Sequence, residues 1–253
     1  MHKISTVIIA CNEEKRIRLV LDSVKWSDEI IVVDSGSTDS TLSICCEYPN
    51  CKVYNQPFLG YGPQKRFAVE KASNQWILSI DADEVVTEAL QHEIRLKLSS
   101  SNIEEAGFHV PITLKFLGKV FSHGSEHKQP HLRLFDKSKG NFNELTLHEG
   151  VVLQGMIGKL RNEVLHLSYI NTHHYFQKFN DYSTLYAVES KKRGKQISKT
   201  MAIVRIPVEF FKQYFIRLNF LNGFPGFVWA WFSTAYVFAK QVKLYESNQT
   251  LKP

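Results

Sequence analysis

The chain has 253 residues and a formal net charge of +6; 43% of its residues are hydrophobic and 22% are charged. This composition supplies enough apolar side chains to bury a core, so intrinsic disorder and fibrous repeats are excluded. The four cysteines are too few for a disulfide scaffold and lack the C-x-x-C spacing of a zinc site, which indicates reduced thiols in a cytosolic protein.

The first hundred residues alternate between predicted strands and predicted helices. Runs rich in β-branched and apolar residues predict strands over 4–10, 29–34, 52–55 and 76–80. Helical spacing and helix-start signals predict helices over 13–24, from 41, over 63–73 and over 87–98. This alternation favours an open, mostly parallel α/β sheet with helices on both faces. The apolar part of MHKISTVIIACNEEKR is too short for a signal peptide, so we expect the chain to face the cytoplasm.

The pattern changes after the small polar residues at 99–102. Shorter strands without helices between them are predicted over 107–114, 116–121, 131–135 and 164–167, and helical spacing returns from 175. No linker or repeat separates independent units. We therefore expect one domain over 1–190, followed by a helical extension over 191–253.

Three polar clusters follow strands of the predicted sheet, at 11–14, 34–39 and 81–84. Ligands of open α/β sheets bind beyond the carboxyl ends of the strands, so we expect these clusters to converge. Asp81 and Asp83 form a D-x-D pair after a buried strand. Neighbouring carboxylates repel each other unless a cation lies between them, and their oxygens suit Mg²⁺ or Mn²⁺. The alternative is a solvated strand end that caps the next helix.

The chain lacks a G-x-x-x-x-G-K-[ST] phosphate loop and a G-x-G-x-x-G turn. The order TVIIACNEE, IIVVDSGSTDST and WILSIDADE, over about residues 4–90, resembles glycosyltransferase family 2. The full-length arrangement is similar to that of bacterial lipopolysaccharide-core β-1,4-glucosyltransferases. The resemblance implies a GT-A fold, an open mixed sheet flanked by helices with a C-terminal helical extension. It also implies a nucleotide-sugar-binding half over 1–100 and an acceptor half over 101–170.

The resemblance implies roles for residues that match the family motifs. In the first two motifs, the uracil and ribose would be lined by Ala10, Asn12 and Glu14. Asp34 would accept a hydrogen bond from the base, and Ser35 would help to close that pocket. Gln64 and Lys65 would approach the donor, and Lys65 or Arg66 would meet the diphosphate. The alternative is that Lys65 and Arg66 are surface cations on a helix.

The D-x-D motif and a later histidine carry the metal prediction. By resemblance, Asp81 would contact the ribose or sugar, and Asp83 would bind the divalent metal. His166 ends a short apolar strand and is a second candidate ligand, because related enzymes place a late histidine on the metal. The alternative for His166 is a satisfied, partly buried side chain.

Displacement at the anomeric carbon also requires a base for the acceptor hydroxyl. Related inverting enzymes often use an E-D dipeptide, which this chain lacks at the equivalent stretch, LTLHEG. We therefore predict Glu149 as the base, with His148 as its neighbour. A capping or surface role for Glu149 stays open, and three other carboxylates compete for the assignment: Glu126, Asp136 and Glu144.

The C-terminal segment 191–253 differs in charge from the rest of the chain. It carries 11 basic and two acidic residues, a net charge of +9, whereas the first 190 residues sum to −3. Residues 218–239 are uncharged, but Pro225 and Gly226 interrupt the first half. The aromatic residues and flanking cations favour an interfacial helix or re-entrant hairpin, with Trp229 and Trp231 among its anchors. The alternative is a helical pair packed on the body.

These observations predict an inverting, metal-dependent transferase that moves a hexose to a lipid-linked saccharide. By resemblance, UDP-glucose is the donor and a lipopolysaccharide inner-core heptose, on lipid A-core, is the acceptor; another donor sugar or lipid-linked acceptor is the alternative. We expect peripheral contact with the cytoplasmic face of the inner membrane and no nucleic-acid partner, because no nucleic-acid-binding signature is present. A remote alternative is a haloacid-dehalogenase-like phosphatase, which DADEV also fits, and a non-catalytic membrane module is a third.

Overall fold

A computed structural model describes residues 2–145 and 149–249. His148 lies outside the described residues. The chain forms two compact units: the first contains residues up to 114 together with 128–168, and the second contains 115–127 together with the residues from 169 onward.

The helices and strands are numbered in chain order. The strands are β1 Ile4–Ala10, β2 Glu29–Asp34, β3 Cys51–Asn55, β4 Trp76–Asp81, β5 Glu84–Val86, β6 Gly107–Phe116, β7 Lys119–Val120, β8 Gln129–Asp136, β9 Gly140–Phe142, β10 Val151–Leu153, β11 Ile157–Lys159 and β12 Val164–His166. The α-helices are α1 Ile17–Val24, α2 Thr41–Cys45, α3 Tyr61–Lys71, α4 Glu88–Ser99, α5 Thr172–Lys192, α6 Lys199–Phe211 and α7 Gly223–Gln249.

The first unit is built on a mixed sheet in the order β3-β2-β1-β4-β8-β6-β12-β5. Strands β3, β2, β1 and β4 are parallel, whereas β8 runs antiparallel to both β4 and β6. All six residues of β2 are buried, as expected for a parallel strand covered on both faces. The predicted open mixed sheet flanked by helices is therefore confirmed.

Helices cover both faces of this sheet. Ile30 and Val32 of β2 belong to the larger hydrophobic cluster, with the buried residues of α1 and α4. Ile31 and Val33 belong to the smaller cluster, with buried residues of α3. Because successive side chains of a strand point to opposite faces, α1 and α4 lie on one face and α3 on the other.

Three local expectations required correction. The helix predicted from residue 13 begins at Ile17, because the backbone amide of Glu13 donates to the Thr41 side chain and the preceding residues form a turn. The strand predicted over 116–121 is broken, since Leu117 and Gly118 have φ of 47° and 78°. The short strand β5 was not predicted; it pairs antiparallel with β12.

The second unit has an aromatic core of its own. Trp229 is buried, and the centroid of its ring lies 5.3 Å from that of Phe116 and 6.1 Å from that of Phe121. Tyr175 of α5 packs at 4.8 Å against Phe232 of α7. Trp229 therefore stabilises this core, and the expectation that it anchors the chain in a membrane is wrong.

The course of the C-terminal helices also differs from the expectation. Pro225 and Gly226 do not interrupt α7, since both lie in its first turn. The break lies before them, where α6 continues into a π-helical turn at Lys212–Ile216, Leu218 has φ of 58°, and a 3-10 turn covers Asn219–Asn222. Within the described residues, no helix combines the length and apolar character needed to cross a membrane.

Candidate active site

The three polar clusters lie at one edge of the sheet in the first unit. Strands β1, β2 and β4 are parallel, and their register pairs Ala10 with Asp34 and Ile9 with Asp81. The loops that follow these strands consequently begin side by side. This is the arrangement expected for a ligand site of an open α/β sheet.

The loops after β1 and β2 are joined by hydrogen bonds. The backbone amide of Asn12 donates to the Ser37 hydroxyl at 2.8 Å, and the Asn12 amide oxygen accepts from the backbone of Thr38 at 2.8 Å. A carboxylate oxygen of Glu14 accepts from the backbone amide of Ser40 at 3.1 Å. Asn12 and Glu14 are both exposed, so each side chain borders open solvent at this edge.

Asp34 is fully buried at the end of β2 and shapes the loop that follows it. Its carboxylate accepts from the backbone amides of Gly36 and Ser37 at 2.8 and 2.9 Å. The φ of 97° at Gly36 is one that glycine adopts readily. Next to it, the backbone of Ser35 donates to the carbonyl of the buried Ala10. The predicted contacts of Ala10 and Asp34 with the nucleotide stay predictions.

Gln64 of α3 links this loop to the helix. Its amide nitrogen donates to the Ser35 hydroxyl at 3.0 Å and to the Gln56 carbonyl at 2.9 Å. Its amide oxygen is buried and accepts no hydrogen bond from any residue that the structure describes. A buried acceptor without a donor is uncommon in folded proteins, and a ligand N–H group would satisfy it.

Asp81 is about one-third exposed, but it pairs with two cations that are themselves buried. Its carboxylate contacts the Lys65 ammonium at 2.8 Å and the Arg133 guanidinium at 2.8 Å. Arg133, from β8, also contacts the carboxylate of Glu84 at 2.6 Å. Burial opposes the charge of Asp81, but Arg133 and Lys65 outweigh burial and hold the pKa of Asp81 well below its usual range. Burial raises the pKa of Glu84.

Arg133 was not predicted from the sequence. It is the one charged residue within LRLF, a short apolar run in β8, and it is 8% exposed. A charged residue that interrupts an apolar strand requires a buried partner. This pattern was the sequence feature that could have identified Arg133. Its partners, Asp81 and Glu84, are distant in sequence, so the signal alone did not identify them.

Asp83 lies between a histidine and an arginine. Its carboxylate is 3.4 Å from Nε2 of His166 and 3.3 Å from Nη1 of Arg16. Burial opposes both charges, but the contact between them raises the pKa of His166 and lowers that of Asp83. The other ring nitrogen of His166 is 2.9 Å from the Ser168 hydroxyl, which fixes the ring. Arg16 also donates to the Leu167 carbonyl at 3.1 Å.

Asp83 and His166 offer a carboxylate oxygen and an imidazole nitrogen to the same region, a donor set that suits a divalent metal. No group of three or more His, Cys, Asp or Glu side chains able to hold a metal ion is found within residues 2–145 and 149–249. Asp83 and His166 would therefore supply two of the ligands that a divalent metal needs.

Lys65 connects the D-x-D motif to the predicted base. Its ammonium group lies 2.9 Å from the carboxylate of Glu149 as well as 2.8 Å from that of Asp81. The Lys65 side chain is 6% exposed, so the alternative of a surface cation is wrong for this residue. Arg66, by contrast, is 42% exposed and pairs with Glu70. Burial opposes the charge of Lys65, but Asp81 and Glu149 outweigh it and raise the pKa of Lys65.

The competing carboxylates lie in different surroundings. Asp136 pairs with Trp76 at the start of β4, whereas Asp81 lies at the other end of that strand. Glu144 is 78% exposed and 4.0 Å from Arg66. Glu126, in the second unit, accepts a hydrogen bond from the Ser125 hydroxyl. Within the first unit, Glu149 is the one of these candidates that shares a cation with Asp81.

Comparison with known proteins finds a matching family model, similar sequences and a similar solved structure. Residues 5–96 match the model of glycosyl transferase family 2. The chain is 31% identical to the lipopolysaccharide core biosynthesis glycosyltransferase LpsC of Rhizobium meliloti (strain 1021), over 97% of this chain and 93% of that protein. It is 36% identical to an uncharacterized glycosyltransferase of Rickettsia felis, over 99% and 91% of the two chains. The crystal structure of S. aureus TarS 1–349 in complex with UDP aligns at 16% identity with a TM-score of 0.48, over 99% and 92%.

Proposed function

The chain belongs to glycosyltransferase family 2 and has the GT-A fold, and we propose that it is an inverting, metal-dependent hexosyltransferase. We propose UDP-glucose as the donor and a heptose of the lipopolysaccharide inner core as the acceptor. The observation that carries the proposal is the Lys65 ammonium, which joins the D-x-D carboxylate of Asp81 to Glu149. The acceptor class is supported by the similarity to LpsC along almost the whole chain.

The donor nucleotide is assigned to the edge formed by the loops after β1 and β2. Asn12 and Glu14 are exposed there and border the uracil and ribose in this proposal. The buried amide oxygen of Gln64 lacks a donor among the described residues, and an N–H group of the bound nucleotide would supply one. Asp81, oriented by Lys65 and Arg133, faces the ribose or the sugar.

A divalent cation, Mg²⁺ or Mn²⁺, would be held by Asp83, His166 and the diphosphate, and would offset the charge that grows on the leaving UDP. The chain's own residues prepare this site. Ser168 fixes the ring of His166, and Arg16 contacts the second oxygen of Asp83. Both side chains are thereby oriented before a ligand binds.

In the transfer step, the acceptor hydroxyl attacks the anomeric carbon from the side opposite the diphosphate. The bond from that carbon to the diphosphate oxygen breaks, and the proton of the hydroxyl passes to the carboxylate of Glu149. Lys65 holds this carboxylate at 2.9 Å, which fixes its position relative to Asp81. The charge of Lys65 also compensates two carboxylates that would otherwise repel the diphosphate.

The acceptor in this proposal is attached to lipid A, so we propose that the protein works at the cytoplasmic face of the inner membrane. The net charge of +9 over residues 191–253 supports attraction to anionic lipid. Nucleic acid is not part of the proposal, because the positive charge is not accompanied by a nucleic-acid-binding motif.

The test is nucleotide release from a panel of UDP- and GDP-sugars, with and without core oligosaccharide and with Mn²⁺ or excess EDTA. We expect UDP release from UDP-glucose that requires both acceptor and metal. Preference for another sugar would overturn the donor assignment, and full activity in EDTA would overturn the metal assignment. If none of the sugar donors releases nucleotide, the proposal that the protein transfers a hexose is wrong.

A further inference from the structure

Helix α6 of the second unit presents an apolar stripe to solvent. Residues spaced by three and four along α6 and the π-helical turn lie on one side and are 48–58% exposed: Met201, Val204, Val208, Phe211 and Phe215. The rings of Phe211 and Phe215 are 5.1 Å apart, so the stripe continues through the π-helical turn. On the other side, Ala202 and Gln213 are buried. A surface helix of a water-soluble protein normally buries its apolar side and exposes its polar side.

The stripe continues into the turn between α6 and α7, which we call the apolar tip (residues 216–224). Five of its large apolar side chains are 41–73% exposed: Ile216, Leu218, Phe220, Leu221 and Phe224. The rings of Phe215 and Phe220 are 6.4 Å apart, which joins the stripe to the tip. A contiguous exposed apolar surface of this kind marks a contact with a membrane or another protein.

Buried polar side chains hold the apolar tip in this conformation. Asn222 accepts from the backbone of Ser122 at 2.9 Å and donates to the carbonyl of His123 at 3.0 Å. Asn219 is also buried and donates to the carbonyl of Gln213 at 2.8 Å. The fold thus buries two asparagines and exposes their apolar neighbours. Because the amides are satisfied, the exposed conformation of the tip is built into the unit.

The charge around this surface distinguishes between possible partners. Over α6 and the turn that follows it, residues 199–217 contain four basic residues and one acidic residue, Glu209, whose carboxylate is 3.7 Å from Lys212. Arg205 on α6 and Lys212 at the start of the π-helical turn are exposed beside the stripe. A second copy docked on the same face would bring like charges together, which disfavours a symmetric dimer. Apolar side chains flanked by cations instead match an anionic lipid surface.

We propose that the stripe and the apolar tip insert into the headgroup region of an anionic bilayer, with the cations beside them on the lipid headgroups. This inference rests on the proposed function in one respect, that the acceptor is carried by a lipid. It moves the membrane contact from the predicted anchor Trp229, which packs in the aromatic core, to residues 201–224.

The test is flotation of the full chain with vesicles of phosphatidylglycerol and phosphatidylcholine, or of phosphatidylcholine alone, at low and high salt. The double variant Ile216→Ser/Phe224→Ser removes the two most exposed side chains of the tip, 66% and 73% exposed. Its matched control is Leu19→Ser/Leu96→Ser, which changes leucines 53% and 60% exposed in the first unit. Thermal unfolding checks that both variants stay folded.

We expect the wild type to bind anionic vesicles and to keep a salt-resistant fraction. The partition coefficient of the tip variant should be at least about tenfold lower than that of the wild type. A change of this size corresponds to a small share of the transfer free energy of two large apolar side chains. The partition coefficient of the control should not change. Vesicle binding by the tip variant equal to that of the wild type would overturn the inference. So would a wild-type dimer that is lost in the tip variant while vesicle binding stays unchanged. Transfer to a soluble, delipidated core oligosaccharide should be equal in all three proteins, and its absence in the wild type counts against the proposed function, not the membrane surface.

Discussion

Replacing Arg133 with Met tests the charge network beneath the D-x-D motif. The guanidinium is 2.8 Å from Asp81 and 2.6 Å from Glu84, and the side chains of Arg133 and Glu84 are 10% and 2% exposed. Met fills similar volume but leaves Glu84 buried without a cation, while Asp81 keeps Lys65. Removing one partner of a buried ion pair costs about 3–5 kcal/mol.

For a chain of this size, each kcal/mol lowers the Tm by about 2–4 °C, so we expect Arg133→Met to lower the Tm by about 6–20 °C. The matched control is Arg18→Met, because Arg18 contacts Glu47 at an equal 2.6 Å while both side chains are about half exposed. Exposed pairs contribute little, so the control should leave the Tm almost unchanged. Equal losses in the two variants would refute the argument that burial makes the Arg133 network important.

The pH dependence gives a second readout of the same variant. Burial already raises the pKa of Glu84 beside Arg133, and loss of the cation should raise it further. A carboxyl whose pKa is raised in the folded state favours folding at low pH, and this advantage is lost as the pH rises through the folded pKa. The Tm deficit of Arg133→Met should therefore be smaller at about pH 5 than at about pH 8. A deficit independent of pH would show that Glu84 does not cause it.

Three further predictions follow from particular contacts. Asp83→Ala should abolish metal-dependent UDP binding in calorimetry without loss of fold, while Asp22→Ala, at an exposed carboxylate, should bind UDP normally; retained metal dependence in Asp83→Ala would contradict the assignment. Burial opposes the charge of Glu29, but hydrogen bonds from one lysine and two serines outweigh it and bring its pKa to about 2. The contribution of ionised Glu29 to stability is lost as the pH falls toward that pKa. Between about pH 5 and pH 2, the wild type should therefore lose more stability than Glu29→Gln. Parallel losses in the two proteins would contradict this prediction. Trp229→Ala should cost about 3–5 kcal/mol, whereas Trp231→Ala, at a 53% exposed residue, should cost much less; similar losses by chemical denaturation would mean that Trp229 is not a core residue.

The parallel strands were predictable because they are buried on both faces. EIIVVD and WILSI are nearly continuous apolar runs, and both strands are confirmed within one residue. The start of α1 was not predictable from periodicity, because a hydrogen bond between the backbone of Glu13 and Thr41, 28 residues away, delays the helix. The GT-A fold and the transferase class are confirmed. The phosphatase and non-catalytic alternatives are wrong.

The candidate site was predicted only in part, since its decisive contacts join residues distant in sequence. The strand-end position of Asp81 and Asp83 followed from the pattern, but their cations, Arg133 and Arg16, did not. Lys65 was predicted to approach the donor, and its shared contact with Asp81 and Glu149 emerges only from the fold. In the C-terminal segment, composition predicted aromatic contact with a membrane without distinguishing the buried Trp229 from the exposed Phe224.

The role of Glu149 is tested most directly by the transfer rate of Glu149→Gln with UDP-glucose and core oligosaccharide. Gln is nearly isosteric with Glu and keeps hydrogen-bonding capacity, so UDP-glucose affinity should hardly change, whereas kcat should fall by about 10²–10⁴-fold, the range for loss of a positioned general base. Glu144→Gln, five residues away at a 78% exposed carboxylate, is the matched control and should keep wild-type kcat. A Glu149→Gln enzyme that transfers at the wild-type rate would show that Glu149 does not accept the proton of the acceptor hydroxyl.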